Sequence, residues 1–258
     1  MCLILLAWQV HPAYPLVVAA NRDEFLARLT AAAAAWPDAP QIIAGRDLEA
    51  GGTWLGVSTA GRFAAVTNVR EPGQAAGQHS RGHLTRDFLL GTTAAGHYLG
   101  NLDGKAYAGF NLLLYDGQAL WYGSNRGDPG RSLPPGIYGV SNHLLDTPWP
   151  KLASAKARFT QALPGLPLEN PFFDLLADDE IAADAQLPAT GVSLEWERRL
   201  SAIFVRSTDY GTRASSLLTI AADGSGTLHE RSFGAEGARI GQTAINFGGS
   251  LAKAKNAR

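Results

Sequence analysis

The chain opens on two short apolar runs, Leu3 to Trp8 and Leu16 to Ala20, which a proline-bounded turn separates. A pair of runs with this spacing predicts an antiparallel β-hairpin. The second run ends on the polar tetrapeptide Asn21 to Glu24. The predicted hairpin therefore brings the first residues of the chain beside a cluster of polar and charged side chains.

Similar runs recur along the chain and predict many strands, with helices in the middle. This order favours an α+β layer architecture in which sheets pack together and helices lie outside. Predicted strands are Trp54 to Ser58, Arg62 to Val69, Phe110 to Tyr115, Ala119 to Gly123, Gly136 to His143, Ala202 to Ser207, Arg213 to Ala221 and Gly226 to Phe233. Predicted helices are the alanine-rich Phe25 to Trp36, Arg81 to Leu90, Lys151 to Leu163 and a segment around Pro171 to Ala177, and Asp178 to Glu195 is predicted to be a surface loop.

The composition predicts one globular domain over residues 1–258, since 46% of the residues are hydrophobic and no linker divides the chain. The 22 Lys and Arg balance 23 Asp and Glu without a dense basic block, which argues against a nucleic-acid partner. No apolar stretch approaches the roughly 18 residues of a membrane span, and the first run is too short for a signal peptide. One cysteine cannot form an internal disulfide, so the expected location is cytoplasmic. The composition carries no signal for the oligomeric state.

The only cysteine of the chain is Cys2. Methionine aminopeptidase accepts a small second residue, so we expect Met1 to be removed and Cys2 to become the first residue. Its α-amine, with a pKa of about 7.7 to 8.0, would then lie beside a thiol with an ordinary pKa of about 8.5. An N-terminal amine can act as general base for the side chain of its own residue. The alternative interpretation is that Cys2 is a small buried apolar residue without a catalytic role.

Polar residues recur where the apolar runs end. Asn68 and Asn142 lie in the polar ends of two predicted strands, Asn125 follows another, and Tyr210 to Arg213 comes between two more. A sheet rim with such groups predicts a polar pocket over an apolar core, which is where substrate sites form. The residue types suit acyl transfer, because Asn donates to an oxyanion, Arg orients charge and Asp accepts from an ammonium group. The alternative is that these residues only end strands and form turns.

Two other motifs predict no ligand site. Gly51 and Gly52 lack the Lys-Ser/Thr of a phosphate-binding loop, so they predict a turn with a close backbone approach. His79 and His83 are four residues apart, but no third metal ligand is evident. We therefore predict neither a metal nor a cofactor.

A set of motifs spread over nearly the whole chain resembles the NRDE family, which is named after its Asn-Arg-Asp-Glu tetrapeptide and includes the eukaryotic transport-and-Golgi-organisation proteins. The resemblance is weakest over Phe159 to Arg199. The motifs that carry it are Met1-Cys2, Ala20 to Glu24, Gly45 to Asp47, Gly51 to Gly56, Thr67-Asn68, Gly139 to Asn142 and Tyr210 to Arg213.

That family is in turn similar to N-terminal-nucleophile hydrolases of the cholylglycine hydrolase and penicillin V acylase type. This similarity implies a four-layer αββα sandwich and an N-terminal cysteine nucleophile. One departure is that Arg22 and Asp23 are adjacent here, so in a strand they would point to opposite faces. Either a turn realigns them or only one faces Cys2, with Arg46 and Asp47 as possible substitutes.

The resemblance leaves two functions open. The first, which we favour, is a cysteine amidase or acyl hydrolase for an acyl amide or thioester of an amphipathic small molecule. The second is a non-catalytic carrier that holds haem, acyl-CoA or another lipid in the same pocket, since a fold alone does not decide function. The implied catalytic residues are Cys2, Arg22, Asp23, Asn68, Asn142 and Arg213, with Asn142 and Asn68 at the oxyanion, and the implied substrate-binding residues are Asn21, Trp54, Asn125 and Tyr210.

Overall fold

The computed structural model describes residues 2–75 and 77–248. The expected removal of Met1 lies outside the described residues. The tail after Gly248 is small and basic, so its sequence predicts that it frays, and it also lies outside them. The strands of the described part are β1 (Cys2–Trp8), β2 (Leu16–Phe25), β3 (Thr30–Trp36), β4 (Ala39–Asp47), β5 (Leu55–Ser58), β6 (Phe63–Asn68), β7 (Phe110–Tyr115), β8 (Leu120–Ser124), β9 (Asp128–Ser132), β10 (Gly136–Val140), β11 (Tyr210–Ile220), β12 (Gly226–Phe233) and β13 (Arg239–Phe247). The helices are α1 (Arg81–Leu90), α2 (Ala95–Gly100), α3 (Pro150–Ala162), α4 (Asn170–Leu176) and α5 (Leu194–Ser201).

The described strands form two antiparallel sheets. The first sheet has six strands in the order β10-β1-β2-β11-β12-β13, and the second has seven strands, β3 to β9, in chain order. The β1-β2 hairpin that the apolar runs predicted lies inside the first sheet, with β10 on one side and β11 on the other. The sheet thus places the first residue of β1 between two neighbouring strand ends.

Three apolar cores follow from the alternation of side chains along the strands. Ile4 and Leu6 of β1 belong to a core that contains residues of both sheets, so this core lies between them. Leu3 and Leu5 belong to a second core with α3 and α4 on the outer face of the first sheet. A third core joins α1 and α2 to the outer face of the second sheet. The protein is α+β, as the order of its predicted elements indicated.

The prediction of a helix from Phe25 to Trp36 was wrong. Most of this segment is strand β3, which pairs with β4 at the edge of the second sheet. Alanine favours helix in isolation, yet tertiary pairing overrides that propensity. Ala33 is buried between the sheets and the Trp36 ring donates to Ala44 O at 3.1 Å, and both contacts hold the strand in place.

The predicted strand from Ala202 to Ser207 was also wrong, and the polar strand β13 was missed. The segment after α5 is irregular, and its backbone hydrogen bonds go to separate parts of the chain. Phe204 N donates to Asp178 O at 2.7 Å, and Thr212 N donates to Val205 O at 2.9 Å. Its apolar side chains are nevertheless buried: Ile203 belongs to the core with α3 and α4, the Phe204 ring contacts the Phe233 ring, and Val205 packs with residues of α5 and β11.

Most other elements lie where the sequence predicted them. Helices α1 and α3 match the predicted segments within two residues at each end, and β12 matches its predicted bounds. Asp178 to Glu195 carries no buried residue, in agreement with its prediction as a surface segment, although α5 begins within its last two residues.

Candidate active site

The position of Cys2 follows from the hairpin register. Cys2 is the first residue of β1 and lies directly opposite Arg22 of β2. Residues that face each other in an antiparallel pair project to the same side of the sheet, here the side of the core between the sheets. The Ser141 hydroxyl donates to Cys2 O at 3.1 Å and fixes this backbone from the β10 side.

Cys2 and Arg22 line a cavity of about 740 Å³. The cavity receives side chains from the ends of β1, β2 and β6, from the start of α1 and from α5. A space of this size matches the range that small-molecule sites occupy. Of the predicted site residues, those on its wall are Cys2, Arg22, Asp23, Trp54, Asn68 and Tyr210.

Arg22 is held by three contacts. Its guanidinium carbon lies 4.4 Å from the centroid of the Trp54 ring, Nη1 donates to Thr30 Oγ1 at 3.3 Å, and Nη2 lies 3.6 Å from Glu24 Oε2. The Trp54 ring in turn lies on Gly45, where an added methyl group would approach the ring to 2.3 Å. The absence of a side chain at Gly45 therefore allows the stacking that orients Arg22.

The Cys2 thiol is buried and its pKa is raised, chiefly by that burial. The negative charge of Asp23 raises the pKa further, whereas the positive charge of Arg22 lowers it. A thiol with a raised pKa is protonated at neutral pH, so it needs a base before its sulfur can attack. The site therefore suits a nucleophile that is activated during reaction rather than a preformed thiolate.

Arg22 and Asp23 both belong to regular β2, and no turn realigns them. Asp23 projects to the face opposite Arg22, where its Oδ1 accepts from Thr212 Oγ1 at 2.7 Å and its backbone O accepts from the Tyr210 hydroxyl at 3.2 Å. Asp47 also lines the cavity, but its carboxylate is bound to Arg28 at 2.7 Å and to two backbone N–H groups.

Asn142 lies behind Asn68 and not on the cavity wall. Its Nδ2 donates to Asn68 Oδ1 at 2.8 Å, and its Oδ1 accepts from the Ser141 hydroxyl at 3.2 Å. The Thr67 hydroxyl donates to Ser141 O at 2.7 Å, and Asn111 Nδ2 donates to Thr67 Oγ1 at 3.0 Å. This buried chain of hydrogen bonds connects the two sheets. Among the described residues, Asn68 Nδ2 has one long contact, 3.4 Å to Val69 O.

Three predicted site residues hold backbone instead of facing the cavity. Asn21 Nδ2 donates to Leu176 O and Ile203 O at 2.8 and 2.9 Å, which ties β2 to the helical layer. Asn125 Nδ2 donates to three carbonyl groups, beginning with Gly104 O at 2.9 Å. Arg213 Nη1 donates to three carbonyl groups of residues 25–28 and closes the end of β2.

The sequence interpretation missed a buried charged cluster behind Asp23. The side chains of Arg70 and Glu197 are 4% and 6% exposed, and Arg70 Nη1 donates to Glu197 Oε2 at 2.9 Å. Lys151 donates from Nζ to Leu200 O at 2.9 Å, and burial lowers its pKa to about 8. A signal was available, since Lys151 precedes the buried Ala155 and Phe159 of α3 by four and eight residues and so lies on its apolar stripe.

Arg81 on the cavity wall was missed as well. It is the first residue of α1, and a close contact of Gly52 with the backbone of Gly82 seats that helix beside the cavity. This confirms the close backbone approach predicted for the Gly51-Gly52 turn. The sequence around Arg81 gives no signal for its placement, because the contact joins segments 30 residues apart.

The histidines make separate contacts. The His79 ring lies 5.7 Å from the Tyr107 ring and precedes α1, while His83 Nε2 lies 2.8 Å from Ala50 O. Over residues 2–75 and 77–248, the structure has no group of three or more His, Cys, Asp or Glu side chains that could hold a metal ion. Within the same residues, every helix is too short or too polar to cross a membrane.

These features define an α+β protein of two antiparallel sheets with a buried cysteine and an arginine paired on the wall of one cavity. Comparison with known proteins identifies its relatives. The family model described as Transport and Golgi organisation 2 matches residues 1–235. The chain is 36% identical to the Transport and Golgi organization 2 homolog of Mus musculus and 37% identical to that of Homo sapiens, in both cases over 90% of this chain and 93% of the relative. It is 30% identical to Transport and Golgi organization protein 2 of Drosophila melanogaster over 62% of this chain and 64% of that protein.

The chain therefore belongs to the Transport and Golgi organisation 2 family. The family assignment that the NRDE resemblance predicted is confirmed.

Proposed function

We propose that the chain is an N-terminal cysteine hydrolase of one domain, residues 1–258, that cleaves an acyl amide or thioester of an amphipathic small molecule in the cytoplasm. In this proposal the layers of helix, sheet, sheet and helix are an αββα sandwich of the N-terminal-nucleophile type. The observation that carries the proposal is the pairing of Cys2 with Arg22 at the ends of β1 and β2, on the wall of the 740 Å³ cavity.

The proposed reaction begins with the removal of Met1, which frees the α-amine of Cys2. The amine accepts the thiol proton, and the sulfur attacks the acyl carbon. When the tetrahedral intermediate collapses, the α-ammonium returns the proton to the leaving nitrogen or sulfur, and a Cys2 thioester remains. A water then attacks this thioester with the amine as base, the acid leaves, and the proton returns to the Cys2 sulfur.

In this reaction Asn68 is the better placed oxyanion donor of the two asparagines. Asn68 lines the cavity and its Nδ2 has one long protein contact, whereas Asn142 Nδ2 is already bound to Asn68 Oδ1. We therefore propose that Asn142 is a positioning residue that orients Asn68. Arg22 favours the thiolate that forms during attack because its positive charge lowers the pKa of Cys2.

The carrier for haem or a lipid remains the second candidate, and two observations favour it. Val192, Trp196 and Leu200 give the cavity an apolar wall. The pKa of the Cys2 thiol is raised by burial, as in a cysteine that only packs. Both observations are compatible with ligand storage without turnover.

One inserted residue separates the two functions. An alanine between Met1 and Cys2 keeps the thiol and the cavity but converts the α-amine of Cys2 into an amide, which cannot accept the proton. General-base assistance contributes about a hundredfold or more to the rate, so turnover of decanoyl amides and thioesters should fall by at least that factor. Binding of haem or decanoyl-CoA should change far less, because it depends on the apolar wall.

The control is Cys2→Ala, which keeps a terminal amine and lacks the sulfur. Intact mass spectrometry first establishes that Met1 is absent from the protein used. Turnover lost in both variants with binding retained supports the hydrolase. Absence of turnover in the processed wild type, together with a ligand whose affinity Cys2→Ala abolishes, would establish the carrier instead.

A further inference from the structure

The arginines on the cavity wall differ in how their charges are compensated. Arg22 lies near Glu24, and Arg28 forms ion pairs with Asp47, at 2.7 Å, and with Glu49. Among the described residues that line the cavity, Arg81 is the only arginine that forms no ion pair. Within the described part of the chain, the Arg81 guanidinium forms one hydrogen bond, in which Nη1 donates to Gly109 O at 3.0 Å.

Arg81 is a half-buried cation in an energetically poor position. Burial lowers the pKa of its guanidinium, and the thiolate form of Cys2 and the carboxylates of Glu24 and Glu71 oppose this effect. A guanidinium has five N–H donors in a planar fork that suits carboxylate and phosphate groups. One donor is held by Gly109 O, and Arg81 lines the same cavity as Cys2, so an anion bound there would pair with the remaining donors.

Another part of the cavity wall is apolar. Val192, Trp196 and Leu200 come from α5 and the segment before it, whereas Arg81 comes from α1. Helix α1 packs on the second sheet, whereas Leu200 and Trp196 of α5 pack against Tyr210 of the first sheet. A ligand that reaches Cys2 therefore meets both the positive charge of Arg81 and an aromatic and aliphatic surface in the same cavity.

We propose that Arg81 anchors an anionic group of the substrate, a carboxylate or a phosphate, and that the apolar part of the same molecule lies against Val192, Trp196 and Leu200. The inference rests on the proposed function of the Cys2 cavity. It narrows the amphipathic substrate to an acyl compound that carries a negative charge. Arg81 is then a residue that determines specificity by direct contact with the substrate.

Binding to Cys2→Ala tests this without turnover. The probes are N-decanoyl-β-alanine, which is anionic, its neutral carboxamide, and N-decanoyl-ethanolamine phosphate, with affinities measured by calorimetry. One charge-assisted contact is worth about tenfold in affinity, so the anionic probes should bind about tenfold or more tightly than the carboxamide. The tighter of the two anionic probes identifies the group as carboxylate or phosphate.

Arg81→Gln should reduce the charge preference to within about twofold and leave the affinity for the carboxamide unchanged. Arg81→Lys keeps the charge without the planar fork, so it should retain part of the preference for anionic probes. This variant replaces Arg81→Gln in the test if the Gln variant does not fold. The matched control is Arg86→Gln on the same helix, because Arg86 pairs with Asp87 and is absent from the described cavity wall. This control should keep the full preference.

Two results would overturn the inference. One is equal binding of anionic and neutral probes to the parent protein. The other is an equal loss of affinity for both kinds of probe in the Arg81 variants, which would assign Arg81 a structural part. Neither result depends on hydrolysis, which is measured separately with processed wild type, so the inference and the proposed hydrolase can fail independently.

Discussion

The two faces of β2 near its end carry polar residues with different tasks. Arg22 and Glu24 point toward the cavity, where Arg22 stacks on Trp54 and lies opposite Cys2. Asn21 and Asp23 point toward the helical layer, and their side chains bind groups of β11 and of the segments beside the helices. One tetrapeptide thus supplies the site on one face and joins two layers on the other.

The difference between the two faces of β2 shows that adjacent polar residues in a strand can have separate functions. Alternation sends neighbours to opposite faces, so each face can be altered while the other keeps its contacts. The face toward the cavity should govern thiol reactivity. The hydrogen bonds of the face toward the helical layer should govern stability, while the charge of Asp23 also acts on the thiol through space.

The largest effect should come from Asn21→Ala. Asn21 is 1% exposed, donates to Leu176 O and Ile203 O, and accepts from Ser215 Oγ at 2.6 Å. The substitution leaves two carbonyls and a hydroxyl buried without these partners, at about 1 to 3 kcal/mol for each unsatisfied group. We expect the free energy of unfolding in urea to fall by about 3 to 5 kcal/mol.

Ser215→Ala is the control for Asn21→Ala, since it removes one of the three hydrogen bonds and should cost about 1 kcal/mol. A loss for Asn21→Ala no larger than that for Ser215→Ala would contradict the structural part of Asn21.

The second prediction concerns Glu230, which lies on the side of the first sheet that faces the second, and the pH dependence of stability that it causes. Glu230 of β12 is 3% exposed and lies between the sheets, where its Oε1 accepts from Ala33 N at 2.7 Å. Burial raises its pKa from 4.5 to about 7, although the hydrogen bond from Ala33 and the charge of Arg22 oppose this. Between these pH values the folded chain keeps a proton that the unfolded chain has released. Stability is therefore lost as pH rises from 4.5 to 7, by roughly 3 kcal/mol.

Glu230→Gln provides the test, because the amide has the shape of the protonated acid and does not titrate. The free energy of unfolding of the wild type minus that of Glu230→Gln should decrease across this pH window. A difference that is constant with pH would show that Glu230 is ionised in the folded protein throughout.

Lys151, on the other face, should give a pH dependence of opposite sign. Burial lowers its pKa from 10.5 to about 8, against the charge of Asp23. Above pH 8 the folded chain has released a proton that the unfolded chain still holds, so stability rises with pH. Between pH 8 and about pH 10 the gain is about 2 to 3 kcal/mol. Lys151→Met should remove this rise, and chemical denaturation of both proteins over that range measures it.

The sequence predicted the elements that local pattern determines. Two apolar runs and a short turn specify the β1-β2 hairpin, and its register then places Cys2 opposite Arg22. The strand state of β3 depends on partners elsewhere in the sheet, and an alanine run carries no local strand signal, so β3 could not be predicted. β13 did carry a signal that was missed, since Thr243, Ile245 and Phe247 alternate with more exposed residues.

The candidate site divides in the same way. Asn68 ends β6 and Asn142 lies two residues after β10, which the sequence reveals, but which amide faces the cavity depends on the hydrogen-bond chain through Ser141. Arg81 reaches the wall through the contact of Gly52 with Gly82, which joins two distant segments. Residue type and strand end can be inferred from sequence, whereas the direction of a side chain requires the packing of the whole molecule.

The smallest expected effect is a change in the reactivity of the Cys2 thiol, which compares the charges of Arg22 and Asp23 directly. Cys2 is the only cysteine, so the rate of its alkylation by iodoacetamide reports one thiol. The charge of Arg22 lowers the pKa of that thiol and the charge of Asp23 raises it. At about pH 7.5 the rate follows the small thiolate fraction, so Arg22→Gln should slow alkylation and Asp23→Asn should accelerate it.

Each change should be about two- to threefold, because a thiol of higher pKa is also more nucleophilic, which offsets part of the change in thiolate fraction. Arg46→Gln and Asp38→Asn are matched controls, since these residues form an ion pair with each other at 2.6 Å and are absent from the described cavity wall. The same charge changes at these positions should leave the rate unchanged. If Arg22→Gln and Asp23→Asn shifted the rate in the same direction, the opposite electrostatic effects of these two charges on the Cys2 thiol would be contradicted.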